Sequence, residues 1–163
     1  MNLSFTSQYQ SKVDAKGRMS IPAKFRRVIE AGDPAWSVDQ PMTAKILFGP
    51  HLKATLQVMT VAAFEDKIAR ILAMPDNNPN KPMLRKLFMG FSEDLAIDKD
   101  GRVVMPLRFR EKLGVVEGDL AFMGLGEFFQ IWQAESFADD VDAPLDAWLQ
   151  DQPADFDPMS LAV

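Results

Sequence analysis

Apolar and polar residues follow one another along this chain in short stretches bounded by turn-forming residues. The run Leu95-Ala96-Ile97, the tetrad Asp98-Lys99-Asp100-Gly101 and the run Arg102-Val103-Val104-Met105 predict a β-hairpin. Aspartate suits the first position of a type I turn, and a glycine three residues on can take the left-handed conformation that closes a bulged loop. Asp14-Ala15-Lys16-Gly17 repeats that chemistry ahead of Arg18. Pro22 and Pro106 then predict the end of each strand and the start of a helix, because proline cannot donate to a ladder but fits a first helical turn. Phe25, Val28 and Ile29 recur at helical spacing up to Gly32, and Phe109 and Leu113 do so up to Gly114. Lys24, Arg26 and Arg27 fall off the first apolar face, and Arg108, Arg110 and Lys112 off the second.

Each predicted helix is followed by a second apolar hairpin, Ile46 to Phe48 with Leu56 to Met59, and Leu120 to Met123 with Phe128 to Trp132. Between the halves, Phe64, Ile68, Ile71 and Leu72 predict an amphipathic helix that Pro75 ends. Lys81 to Met89 predicts another, with Leu84, Leu87 and Phe88 inward, Arg85 and Lys86 outward, and Gly90 as its stop. The ten methionines read as core and interface filler.

These elements repeat. DAKGRMSIPAKFR (14–26) and DKDGRVVMPLRFR (98–110) share Asp14/Asp98, Gly17/Gly101, Arg18/Arg102, Pro22/Pro106, Phe25/Phe109 and Arg26/Arg110 without a gap. A weaker match aligns LQVMTVAAFED (56–66) with FQIWQAESFAD (129–139) through Gln57/Gln130, Phe64/Phe137 and Asp66/Asp139. The offset falls from 84 to 73 between the two matches, which predicts eleven extra residues in the first half, in the loop around Asp33 to Thr43.

Charge divides as sharply as the pattern repeats. The net charge of −5 hides a +6 balance over residues 1–112, which hold all 18 Lys and Arg, while residues 113–163 hold 11 acids and no base. The acidic end predicts a solubilising, partly disordered tail, or an arm that competes with nucleic acid for the basic face. No stretch approaches the roughly 18–20 apolar residues of a membrane span, and the first ten residues lack a basic segment followed by an apolar run. Cytoplasmic residence is the default expectation.

Catalytic chemistry finds little material: His51 stands between Pro50 and Leu52, with no cysteine or second histidine to pair with, so neither catalytic nor metal-ligating residues are assigned. No glycine-rich phosphate loop is present, and no cofactor is expected. Asp14 and Asp98 each precede an arginine by four positions, which favours ionised carboxylates over acid-base work. As a surface ion pair such a couple is worth only ~0–1 kcal/mol. Lys16 and Lys99 crowd the same turns, however, and concentrate positive charge where no core needs it. Arg18 and Arg102 are therefore the candidate DNA-contacting residues, with Asp14 and Asp98 orienting the guanidinium groups and Lys16 and Lys99 beside them. Arg26, Arg27, Arg108 and Arg110 are candidates for DNA backbone contact or for solvated helix faces. Gly17, Gly101, Pro22 and Pro106 serve the turns and helix starts.

The paired phrases resemble the MraZ family of transcriptional regulators, in the AbrB-like superfamily, over residues from about Phe5 to about Val141. Two Asp-x-x-x-Arg signatures set 84 residues apart carry the likeness. The second copy departs from it mildly, with Met105-Pro106 in place of the usual Ile-Pro. The resemblance implies an α+β fold in which two AbrB-like swapped-hairpin halves form one pseudo-twofold β-barrel core with flanking short helices. It further implies a homo-oligomeric ring on tandem repeats of double-stranded promoter DNA, repressing the chain's own division and cell wall operon, with Arg18 and Arg102 on the DNA.

The expected organisation is repeat 1 over 5–60, a helical connector over 61–94, repeat 2 over 95–141 and the acidic tail over 142–163. The alternative function is an oligomeric module of the same fold whose arginines engage an acidic protein partner. No enzyme activity and no membrane association are expected.

Overall fold

The computed structural model describes residues 3–162. Eight strands and a set of short helices give an α+β fold. The first half runs β1 (Gln8–Val13), β2 (Arg18–Ser20), α1 (Ala23–Ala31), β3 (Met42–Leu47), β4 (Thr55–Thr60) and α2 (Val61–Leu72). After α3 (Asn80–Phe88), the second half repeats the order as β5 (Ser92–Ile97), β6 (Arg102–Val104), α4 (Leu107–Leu113), β7 (Gly118–Gly124), β8 (Phe128–Gln133) and α5 (Ala134–Phe137). A π-helical turn, Ala138–Asp142, carries α5 on into α6 (Ala143–Gln150).

Six strands form one antiparallel sheet in the order β1-β7-β8-β4-β3-β5, and β2 pairs with β6 in a separate ribbon. Exchanging each strand for its repeat equivalent reverses that order and leaves it unchanged, so the duplication is built into the architecture. The register makes the point residue by residue. Gln57 faces Gln130 between β4 and β8, and Met19 faces Val103 between β2 and β6. Each is opposite its own counterpart, as a local twofold axis requires.

The predicted turns form, but their strands do not ladder with each other. Asp14 N–H donates to Arg18 carbonyl (3.1 Å) and Gly17 N–H to Asp14 carbonyl (2.9 Å), and Asp98, Arg102 and Gly101 repeat this at 3.0 and 2.9 Å. Beyond the turn, β2 and β6 leave their own halves and pair with each other. Met105 N–H donates to Gly17 carbonyl (2.7 Å), and Ile21 N–H to Gly101 carbonyl (2.8 Å). The expected barrel does not close among the described residues: the sheet ends at β1 and β5, and Pro22 and Pro106 stop the ribbon strands after three residues each.

One core binds both halves. Phe5, Val13, Met19, Ile21, Phe25 and Ile29 share it with Ile97, Val103, Met105, Phe109, Phe122 and Phe129. Phe25 stacks on Phe129 at 4.5 Å between ring centroids while Phe5 meets both edge-on, and its counterpart Phe109 lies 4.8 Å from Phe48. Rings buried this fully contribute roughly 1.5–3 kcal/mol each, which ties α1 and α4 to the sheet.

One expectation is corrected. The extra residues of the first half are shared between the α1–β3 loop (32–41) and the β3–β4 loop (48–54), rather than held in one loop. Asp33 organises the former, its carboxylate accepting from Ala35 N–H (3.2 Å) and Thr43 N–H (2.8 Å). Within the acidic tail, Ala143–Gln150 is helical. Among the described residues no helix is long and apolar enough to cross a membrane.

Candidate functional site

The β2–β6 ribbon brings the two signature arginines to a single surface. In each strand the middle residue, Met19 or Val103, is buried and its neighbours are exposed. Alternation therefore sets Arg18, Ser20, Arg102 and Val104 on the outer face. With Arg18 opposite Val104 and Ser20 opposite Arg102, the arginines are diagonal neighbours, a relation that sets positions roughly 7–8 Å apart. Both line two adjoining depressions of about 490 and 410 Å³. The antiparallel pairing sends the two turns, with exposed Lys16 and Lys99, off opposite ends of the ribbon.

The turns are built alike but hold their arginines differently. Asp14 Oδ1 accepts from the N–H groups of Lys16 (3.0 Å) and Arg18 (2.9 Å), and its Oδ2 accepts from Arg18 Nε (2.6 Å). The Arg18 N–H bond, then the guanidinium, holds the Asp14 carboxyl below its ordinary value, so it stays ionised at neutral pH. Arg18 keeps its terminal nitrogens for an outside acceptor. Asp98 Oδ1 accepts from the Asp100 and Arg102 N–H groups, each at 2.9 Å, but no ion pair links it to the Arg102 guanidinium among the described residues. Among the described residues a carboxylate–guanidinium contact within the turn is thus present at Asp14 only. Asp98 serves the turn backbone.

Gly17 (φ +87°) and Gly101 (φ +80°) take the left-handed conformation that their place in the turn demands. Close approach adds a second demand. A Cβ on Gly17 would stand 2.4 Å from the Met105 carbonyl oxygen, and one on Gly101 2.6 Å from Arg26 Nη1.

Arg26 and Arg110 each meet the turn of the opposite half. Arg110 is buried, its Nε donating to the Met105 carbonyl (3.0 Å) and its Nη1 to the carbonyls of Ala15 (3.3 Å) and Val116 (2.8 Å). It braces the first repeat's turn from the second repeat's helix and has no donor directed to solvent through Nε or Nη1. Arg26 lies against Gly101 in the mirrored position, with Nε buried and without a hydrogen-bond partner among the described residues. The retention of this arginine together with the turn glycine in both copies was the available signal. Solvated-face reasoning passed over it because helical spacing sees only the helix's own faces.

Arg27 and Arg108 are exposed on α1 and α4. Arg108 lies over the Phe48 and Phe109 rings (4.9 and 4.7 Å) and 3.6 Å from Glu93, which restricts its reach. Sequence reasoning also missed Lys81. It is buried at the α2–α3 junction, where its Nζ donates to the Leu72 and Met74 carbonyls (3.1 and 2.9 Å) and to Asp76 Oδ1 (2.7 Å).

The chain is 38% identical to the transcriptional regulator MraZ of Ruegeria pomeroyi over 155 residues, covering 95% of this chain and 92% of that one. The chain belongs to the MraZ family. It is also 35% identical to the MraZ of a Ruegeria species (98% and 95% covered) and 30% identical to that of Herpetosiphon aurantiacus (85% and 92%). No protein-family model matches the chain. The MraZ relatives are named transcriptional regulators, and the two Ruegeria matches span nearly all of this chain.

Proposed function

We propose that this MraZ-family chain is a sequence-specific regulator that binds double-stranded promoter DNA through the outer face of the β2–β6 ribbon. The observation that carries the reading is the pairing of β2 with β6, which unites Arg18 and Arg102 on one exposed face. A two-stranded ribbon fits the major groove, and arginine reads guanine bidentately there, each such pair discriminating by ~1–3 kcal/mol. Lys16 and Lys99, beyond either end of the ribbon, supply phosphate contacts, with Arg27 and Arg108 as further backbone candidates. Arg26 and Arg110 are withdrawn from that role because they brace the turns. Asp14 keeps Arg18 extended and Asp98 holds the turn that presents Arg102.

The finer architecture follows the same line. The crossed hydrogen bonds between Gly17 and Met105, and between Gly101 and Ile21, support a swapped-hairpin, AbrB-like relation between the halves. On this reading copies assemble as a homo-oligomeric ring on tandem promoter repeats, where avidity raises weak single contacts, and the chain represses its own division and cell wall operon.

Gel-shift titration with tandem-repeat promoter DNA tests the proposal. Arg18→Ala with Arg102→Ala is expected to weaken binding by about 30-fold or more, following from two lost contacts of ~1–3 kcal/mol each. Lys16→Ala with Lys99→Ala should instead lower the salt slope by roughly 0.9 per lost phosphate contact. Unchanged affinity and slope in the double arginine variant would overturn the DNA reading. Retention of an acidic protein by the wild-type ribbon alone would then favour the interaction-module alternative.

A further inference from the structure

The ribbon repeats its arginines but not the residues around them. The two depressions beside it are counterparts at the offset of 84: Asp14, Arg18 and Met19 line one, and Asp98, Arg102 and Val103 line the other. Three further pairs exchange polar for apolar, Ser11 for Leu95, Lys12 for Ala96 and Ser20 for Val104. On the polar side the Ser11 hydroxyl donates to the Ser20 carbonyl (3.2 Å). On the apolar side Pro41 and Pro106 join the wall. The carboxylates that also line it, those of Glu93 and Asp94, face cations of the chain itself, Arg108 at 3.6 Å and Lys45.

Val104 is the sharpest of these exchanges. It is 63% exposed on the face that carries both arginines, directly opposite Arg18, while its neighbour Val103 fills the core. Facing residues of an antiparallel pair hold their Cβ atoms roughly 4.5–5.5 Å apart, and successive nucleotides of a duplex strand rise about 3.4 Å. On a ribbon seated in the major groove, Val104 therefore meets a base edge one or two steps from the base that Arg18 reads. The one apolar group that a base pair presents there is the C5 methyl of thymine. Ser20, in the corresponding place opposite Arg102, can instead donate to or accept from any base.

We infer that Val104 is a specificity-determining residue that packs on a thymine methyl beside the base read by Arg18. The two arginines, alike in the duplicated phrase, then read their bases next to different neighbours. The inference rests on the ribbon reading proposed above and names a group that the ribbon selects.

Anisotropy titration of the full chain with tandem-repeat promoter DNA, synthesised with thymine or with deoxyuridine throughout, tests it. Deoxyuridine lacks the C5 methyl and keeps every hydrogen-bonding group of thymidine. The wild type is expected to bind the deoxyuridine duplex at least about fourfold more weakly, the effect of burying one methyl-sized group. Val104→Ser should bind both duplexes alike, and Val104→Thr, which keeps a methyl at that place, should retain part of the difference. Both variants should match the wild type in circular dichroism, because the side chain lies outside the core. Equal binding of the two duplexes by the wild type overturns the inference and spares the ribbon. A deoxyuridine penalty that persists in full in Val104→Ser assigns the methyl effect to the DNA itself and likewise overturns it. Affinity that survives Arg18→Ala with Arg102→Ala overturns the ribbon reading, and this inference with it.

Discussion

The turn at 14–18 and the turn at 98–102 are two solutions to one problem, and their differences separate what a motif requires from what its surroundings add. Both close through the same two backbone bonds, both place glycine in the left-handed region, and both lean on an arginine from the opposite half. They differ in what surrounds that frame. The first turn is braced by an Arg110 whose donors meet three carbonyls, and its own arginine is held by Asp14. The second is braced by an Arg26 with an unpartnered Nε, and its arginine has no carboxylate partner among the described residues. The frame belongs to the duplicated phrase; the strength of each brace depends on which loop carbonyls come near.

The largest expected effect that would sharpen this comparison is at the braces. Arg110→Ala should destabilise the chain by about 3–4 kcal/mol, since hydrogen bonds to a charged group contribute ~1.5–3 kcal/mol and orphaned carbonyls add a cost. Arg26→Ala should cost only about 1 kcal/mol, mostly packing. Equal urea midpoints for the two variants would show the braces to be equivalent. Next come the glycines. Gly101→Ala should cost about 1–2 kcal/mol for its left-handed backbone, because the Arg26 side chain in its way can move. Gly17→Ala should cost about 3 kcal/mol, since it meets the Met105 backbone carbonyl, which can yield only by shifting the ribbon. Thermal unfolding of both variants gives the order directly.

Smaller effects lie in the aspartates. Asp14→Asn is expected to lower DNA affinity more than Asp98→Asn, because only Asp14 holds a guanidinium; equal losses in an anisotropy titration would remove the asymmetry. Asp14 also carries a pH signature. Its pKa is lowered in the fold from an ordinary 3.8, first by the Arg18 N–H and then by its side chain. Its contribution is therefore fully present above pH 3.8 and is lost as pH falls from there through the folded value. An acid titration of stability in Asp14→Asn should lack that component while matching the wild type's shape above it.

Much of the local structure was legible beforehand because it is set by residues near in the chain. Asp14, Gly17 and Pro22 each act within a few positions, and Phe25 with Val28 and Ile29 announced the buried face of α1 before any partner was known. The places of Arg26 and Arg110 were not legible for the converse reason: they lie off the apolar face of their own helices and meet the other half's turn. The helix within the tail was not legible because the composition there is acidic, while its apolar stripe continues a helix already begun in the core at Phe137.

By itself, then, the amino-acid sequence determined the duplicated turns, the proline-started helices, the two apolar hairpins and the separation of basic from acidic chain. Only the tertiary structure decided that β2 pairs with β6 rather than with β1, and so that Arg18 and Arg102 share one face. The reason lies in the backbone. Every strand must satisfy its N–H and C=O groups, but those groups are the same in every residue and do not name their partner; the choice between a neighbouring strand and one from the other half is made when both halves bury their phenylalanines in a common core.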